Sequence, residues 1–124
     1  MFKLQRLKDK PILIPKRENE WERAAVFNAA AIFHRGLFHL IYRATNIPPQ
    51  QKYGDYVSTI GYAVSTDGVD FYRFDKPIMT TQNDQERRGI EDPRIVEIDG
   101  TFYMTYTGFG GRFDGDFRIM LAKS

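Results

Sequence analysis

Two adjacent carboxylates, Glu91 and Asp92, lie in the stretch Arg87-Arg88-Gly89-Ile90-Glu91-Asp92-Pro93-Arg94. A carboxylic acid can give a proton to a leaving oxygen, and a guanidinium fork can orient hydroxyls. The alternating run Ile95-Val96-Glu97-Ile98 follows at once and reads as a strand. Turn residues that open a strand hold their side chains at fixed positions, because the strand behind them is rigid. Asp92 is therefore a candidate for a positioned acid. The same octapeptide also reads as a plain turn, with Glu91 and Asp92 paired to neighbouring arginines. The elements around it decide between the two.

Composition limits the classes open to such an acid. The chain has 124 residues, enough for one small domain with a modest core. It is 42% hydrophobic and 15% aromatic, which is globular rather than disordered. The net charge of +2 comes from scattered basic residues, so no nucleic-acid-binding or polybasic membrane surface is expected. Cysteine is absent, which excludes disulfides and thiolate metal sites. No apolar run approaches the roughly 20 residues of a membrane-spanning helix. The basic N-terminus lacks the apolar core of a signal peptide. The expectation is a soluble cytoplasmic protein.

The elements that must position Asp92 form a series of strands. Phe2 to Lys8 could be an edge strand, and Lys16 to Arg23 a loop or one helical turn around Trp21. Ala24 to Phe33 is Ala-rich and scores as helix by propensity. It is nevertheless read as a strand, because His34-Arg35-Gly36 breaks it and Leu37 to Arg43 follows as an aromatic-rich strand, the two forming a hairpin. Tyr56 to Ser65 is a third strand, Thr66-Asp67-Gly68 a tight turn, and Val69 to Phe74 a fourth strand. Residues 28 to 74 thus read as an antiparallel meander.

The pattern then begins again. Asp75-Lys76-Pro77-Ile78 repeats Asp9-Lys10-Pro11-Ile12 at an offset of 66 (75 − 9). Gly36, Phe38 and Tyr42 fall on Gly100, Phe102 and Tyr106 at an offset of 64 (100 − 36), and Ala63-Val64-Ser65 matches Ala122-Lys123-Ser124. A repeat of four antiparallel strands is the unit of a β-propeller blade. The expected fold is all-β: one partial propeller domain over 1–124, with a first repeat at about 9–74 and an incomplete second at about 75–124. At the same offset Asn28 falls on Asp92 (92 − 28), so two polar residues sit just ahead of the innermost strands of successive blades and converge on one end of the channel. Propellers close with roughly 4–8 blades, so this sequence looks like the N-terminal part of a larger one. The open blade edges invite self-association, or missing blades are supplied by another chain.

Several motifs then occur in order: Phe27-Asn28-Ala29-Ala30, Tyr42-Arg43, Ser65-Thr66-Asp67-Gly68 with Phe71, Gly89-Ile90-Glu91-Asp92-Pro93-Arg94, and Tyr106-Thr107-Gly108. This set resembles glycoside hydrolase family 130, covering most of the chain from about Pro11 onward. The resemblance implies a five-bladed propeller and an inverting phosphorylase of β-mannosides. Inorganic phosphate would be the nucleophile, mannose 1-phosphate the released product, and no further cofactor needed. It implies that Asp92 is the general acid, that Asn28 and Arg43 contact the mannosyl ring, and that Glu91 helps line the acceptor side. The family's phosphate-binding basic residues lie in later blades and have no match here. Two alternatives stay open: a propeller hydrolase of β-mannosides, and a non-catalytic carbohydrate-binding or assembly fragment. Inverting hydrolysis needs a second carboxylate to activate water, whereas phosphate is already an anionic nucleophile.

Other residues read more plainly. Arg94 orients Asp92, binds sugar or forms a structural ion pair, and Arg87 and Arg88 are solvated loop charges. His34 and His39 are exposed hairpin residues with no carboxylate cluster to make a metal site. Tyr42, Tyr106, Phe38 and Phe102 are expected in the inter-blade core. The Gly-rich run Gly108 to Gly115 is no phosphate loop, since no helix or Lys-Ser/Thr pair follows; it reads as a flexible loop over the channel mouth.

Overall fold

The computed structural model describes residues 2–48 and 55–124. Seven strands run in order: β1 (Ala25–His34), β2 (Leu37–Thr45), β3 (Ser58–Ser65), β4 (Tyr72–Arg73), β5 (Gly89–Ile98), β6 (Thr101–Phe109) and β7 (Phe117–Lys123). Two 3-10 turns, Glu20–Glu22 and Asp84–Glu86, precede β1 and β5. Among the described residues there is no α-helix, and no helix is long and apolar enough to cross a membrane.

The Ala-rich run over 24–33 is strand despite its helix propensity, because a hairpin turn folds it back along β2. Arg35 and Gly36 turn with φ of 48° and 79°, the pair of positive values a two-residue hairpin of matching twist requires. Asp99 and Gly100 repeat the turn with 50° and 76°. Strands β1, β2 and β3 form one antiparallel meander with β4 on the outside of β3. Strands β5, β6 and β7 form a second. A single parallel pairing, Ser58 with Gly89, joins them into one mixed sheet.

The pairing itself repeats. Ala25 opposes Thr45 as Gly89 opposes Phe109, and Ala30 opposes Ile41 as Arg94 opposes Thr105. Phe38 opposes Ser65, and Phe102 accepts a hydrogen bond from the Ser124 N–H. Packing follows the same repeat. One core cluster joins Leu40, Tyr42, Ala44 and Ala63, with Leu13 and Val26 against it. The other joins Tyr106 and Ile90 to Ile41 and Ile60 of the first meander, with Met79, Met104 and Ala122 around them. The second cluster is therefore the core between the two meanders.

Several expectations change. The fourth strand over 69–74 shrinks to Tyr72–Arg73, because the Asp67 carboxylate accepts hydrogen bonds from the N–H groups of Val69 and Asp70 (2.8 and 2.9 Å) and holds them in the turn. The second meander has three strands, so the structure does not show two four-stranded blades. Phe2 to Lys8 forms no strand; Phe2, Leu4 and Leu7 are exposed, and Lys8 pairs with Asp70. Of the four aromatics expected in the core, Tyr42 and Tyr106 are buried and Phe102 is half-buried, whereas Phe38 is exposed against Phe33.

His34 and His39 are partly buried rather than exposed. The His34 ring bonds Glu97 of the second meander at 2.9 Å and the His39 ring bonds the Tyr62 hydroxyl at 2.6 Å. The Gly-rich loop after β6 is pinned, not free: fully buried Asp116 accepts hydrogen bonds from the Arg112 N–H and guanidinium and from Arg118. Those contacts hold its carboxyl well below the usual range, the Arg112 hydrogen bond first among them. Gly110 has no room for a Cβ, because Asp116 occupies that space.

Candidate active site

The two meanders meet at a pair of bulges. The β1–β2 register shifts between Phe27 and Ala30, and the β5–β6 register shifts between Glu91 and Arg94. Asn28 and Asp92 stand at the two bulges with φ of 48° and 52°. Asn and Asp are the side chains that best tolerate this left-handed region, and a bulge re-aims the side chain it carries. Here both turn towards the seam, and the Asn28 amide donates to Asp92 Oδ1 at 2.8 Å.

Arg43, near the end of β2, completes the cluster. Its Nη1 donates to the same Asp92 Oδ1 at 3.2 Å, its Nη2 to Glu91 Oε1 at 2.6 Å, and its Nε to Ser58 Oγ at 2.9 Å. The Ser58 hydroxyl donates to Glu91 Oε1 at 3.1 Å. The guanidinium lies 4.7 Å from the centre of the Phe27 ring, a cation–π contact that fixes its plane. Arg43 and Glu91 are buried, whereas the Asp92 side chain is 37% exposed. Burial pushes the Glu91 carboxyl up; Arg43 and Ser58 pull it back down, and neighbouring Asp92 adds to the rise.

Asp92 Oδ1 is thus occupied by two donors. Asp92 Oδ2 has no hydrogen bond among the described residues and belongs to a half-exposed side chain. A carboxyl held in this way by one oxygen can carry or release a proton on the other.

The structure brings together all four residues singled out in the sequence: Asn28, Arg43, Glu91 and Asp92. Glu91 faces Arg43 and Ser58 rather than solvent. Arg94 is exposed, and its guanidinium bonds the Pro93 carbonyl instead of Asp92. Arg88 is not a solvated charge. It is half-buried, with one guanidinium nitrogen lacking a hydrogen bond among the described residues. Among those residues no group of three His, Asp or Glu side chains could hold a metal ion. An apolar cleft of about 430 Å³ between the meanders, lined by Ile32, His34, Tyr62 and Met104 among others, contains none of the four.

Sequence reasoning missed Ser58 and a buried pair of carboxylates. Glu22 accepts from the Tyr42 hydroxyl at 2.9 Å, and Glu86 from the Tyr106 hydroxyl at 2.7 Å. Both are buried within the 3-10 turns ahead of β1 and β5. The signal was present: Asn19 and Glu22 recur as Asn83 and Glu86, again 64 residues on (86 − 22).

The family model described as beta-1,4-mannooligosaccharide phosphorylase matches residues 4–123, and the chain belongs to glycoside hydrolase family 130. Within that family it is 67% identical over its full length to a 1,2-beta-oligomannan phosphorylase of Thermoanaerobacter sp. (strain X514), and 54% identical to a beta-1,2-mannobiose phosphorylase of the same organism. It spans 42% and 43% of the length of these relatives. A glycosyl hydrolase from Bacteroides ovatus superposes with a TM-score of 0.81 at 30% identity, over 96% of this chain and 37% of that one. Another solved structure comes from the GH130 family of mannoside phosphorylases, described as containing glycoside hydrolases that target beta-1,2 mannosidic linkages in Candida mannan. It superposes with a TM-score of 0.80 at 29% identity, over 96% of this chain and 37% of that one.

Proposed function

We propose that this chain carries the general-acid half of an inverting β-mannoside phosphorylase built on a propeller. Manno-oligosaccharides or β-mannosides are its substrates, and β-1,2-linked mannan is favoured by the names of the two curated relatives. The observation that carries the reading is Asp92, anchored through Oδ1 by Asn28 and Arg43, with no hydrogen bond to Oδ2 among the described residues. In the proposed reaction an oxygen of inorganic phosphate attacks the anomeric carbon from the face opposite the leaving group. The glycosidic C–O bond breaks as the Asp92 Oδ2 proton passes to the leaving oxygen. The products are mannose 1-phosphate of inverted configuration and the shortened acceptor, and Asp92 regains its proton from solvent. Asn28 and Arg43 meet the mannosyl ring beside the acid. Glu91, held against Arg43 and Ser58, would reach the sugar only through that guanidinium, which moves it from the acceptor side to the support of the mannosyl contact.

The domain reading follows: a first repeat at about 9–74, a second at about 75–124, and a phosphate cradle outside this chain. A sugar 1-phosphate is of use where it is consumed, so the reading keeps the reaction in the cytoplasm. The outward face of β7, with Phe117, Ile119 and Leu121 exposed, is where self-association or further blades would cover apolar surface.

Hydrolysis of β-mannosides is the second reading, favoured by the structural relative described among hydrolases. It requires a second carboxylate to activate water, and Glu91 is turned into Arg43 and Ser58 and cannot serve. The test is product analysis of the enzyme at the full length of its relatives, with and without phosphate. Mannose 1-phosphate formed only with phosphate is expected; free mannose formed at an unchanged rate without phosphate would assign the hydrolase.

A further inference from the structure

Ser58 is fully buried and stands where the two meanders pair, opposite Gly89. The strands meet there more closely than a side chain at position 89 would permit. A Cβ on Gly89 would lie 2.9 Å from both the Cβ and the backbone nitrogen of Ser58, well inside van der Waals contact. The glycine therefore fixes how deep Ser58 sits in the seam. A hydroxyl has one proton to give and two lone pairs to receive with. Ser58 uses both: Oγ accepts from Arg43 Nε at 2.9 Å and donates to Glu91 Oε1 at 3.1 Å.

We propose that Ser58, seated against Gly89, is a positioning residue that aims the Arg43 guanidinium and so sets where the mannosyl ring is held relative to Asp92. Phe27, opposite Arg43 in the β1–β2 register, stacks on the guanidinium at 4.7 Å. A ring face fixes the plane of the guanidinium but lets it slide and turn within that plane. Direction within the plane comes from hydrogen bonds at fixed points. Nε is the root of the fork and Nη1 and Nη2 are its tips, so a bond at Nε fixes the point about which the tips would swing. One tip reaches Glu91 Oε1 at 2.6 Å and the other Asp92 Oδ1 at 3.2 Å. Glu91 is itself held by the same hydroxyl. Without that hydroxyl the fork keeps its stacked face and loses its bearing. A displacement of about 1 Å at a group that holds substrate can cost about 10²-fold in rate. Fully buried, Ser58 touches no substrate and acts through Arg43. Its use in catalysis rests on the reading of Arg43 as a contact to the mannosyl ring; its aiming of the guanidinium does not.

The test is a double-mutant cycle in the enzyme at the full length of its relatives, with β-1,2-mannobiose and phosphate as substrates. Ser58→Ala keeps the strand pairing and removes the hydroxyl. Its kcat/KM should fall by about 10–10²-fold, with KM rising, because the guanidinium contact is made in the ground state too. In an Arg43→Ala background the same change should make less than about a twofold difference, since nothing is left to aim. An undiminished loss in that background would show that Ser58 acts by another route and would overturn the proposal, as would Ser58→Ala at the wild-type kcat/KM. Ser58→Cys keeps the shape with only weak hydrogen-bonding capacity and should fall with Ser58→Ala. Wild-type kinetics in Ser58→Cys would assign the residue to packing and overturn the proposal. NMR gives a readout that needs no turnover. The Arg43 Nε–H proton should be protected from solvent exchange in the wild type, and that protection should be lost in Ser58→Ala. Equal protection in both would overturn the proposal whatever the kinetics. If protection is lost in the variant while the wild-type enzyme turns over no β-mannoside with phosphate, the aiming of Arg43 stands and the proposed function fails.

Discussion

The two meanders are the same construction used twice, and they differ where it matters. At the bulge one presents an amide, Asn28, and the other an acid, Asp92, at φ within 4° of each other (52 − 48) and in hydrogen-bond contact. Near the start of the third strand one has Ile60 fully buried and the other Ile119 83% exposed, at corresponding places in the pairing. The first difference places chemistry on a repeated scaffold. The second shows that burial of a strand face depends on having a neighbouring unit, since the face of Ile60 is covered by Ile90 and Met79 of the following one.

The largest break in the comparison is expected at the buried carboxylates. Glu22 is capped by Arg73 at 2.9 Å, whereas Glu86 has no ion pair among the described residues. Arg73→Ala leaves Glu22 buried without its cation and should cost about 3–5 kcal/mol in a urea melt. Glu22→Gln should therefore cost more than Glu86→Gln; equal costs would mean the ion pair adds nothing.

The paired isoleucines come next. Ile60→Ala should cost about 2–5 kcal/mol through the cavity it opens. Ile119→Ala should lie within roughly 0.5 kcal/mol of wild type. If the chain self-associates through β7, however, Ile119→Asp will lower the sedimentation coefficient at high concentration. A stable monomer before and after the change would remove β7 as an association surface.

The tyrosines sharpen the likeness rather than the difference. Tyr42→Phe and Tyr106→Phe each delete one hydrogen bond to a buried carboxylate, and each should cost about 1.5–3 kcal/mol by the same measurement. Burial first, with help from Glu22, drives the Tyr42 hydroxyl far above its ordinary value; burial and Glu86 push Tyr106 up to about 12. Neither ring should ionise in a spectrophotometric titration below that pH while the fold persists.

The smallest effect concerns acid. The N–H groups of Asp70 and then Val69, with the Ser65 hydroxyl, hold the Asp67 carboxyl down to about 2 from 3.8. Its contribution to stability is complete above pH 3.8 and is lost as the pH falls towards 2. Asp67→Ala should flatten that part of the stability curve and leave neutral pH little changed beyond the lost turn.

The strands and the convergence of Asn28 with Asp92 were legible because both follow from a repeat in one dimension, the offset of 64. A period of two in burial and an Arg-Gly or Asp-Gly turn fix a hairpin with no knowledge of its neighbours. The short fourth strand was not legible, because the Asp67 side chain competes with the ladder for the same N–H groups. Ser58 was not legible either. Its importance lies in being brought under Arg43 by strand pairing, and a serine in a strand carries no such mark. Nothing in the local sequence marks Glu22 and Glu86 as buried; their hydrogen bonds to Tyr42 and Tyr106 appear only when the strands are packed.

Asp92→Asn in the enzyme at the full length of its relatives, assayed on a natural β-mannobiose and on an activated aryl β-mannoside, is the most direct test of Asp92 as the proton donor. The substitution keeps the size of the side chain and removes the proton. General acid catalysis is worth about 10²–10⁴-fold, so turnover of the disaccharide should fall by that factor with little change in its binding. The aryl mannoside, whose leaving group needs little protonation, should be relatively spared, and the alkaline limb of the pH–rate profile should vanish. Disaccharide turnover near the wild-type rate would contradict the account and leave Asp92 as a bulge residue held by its neighbours.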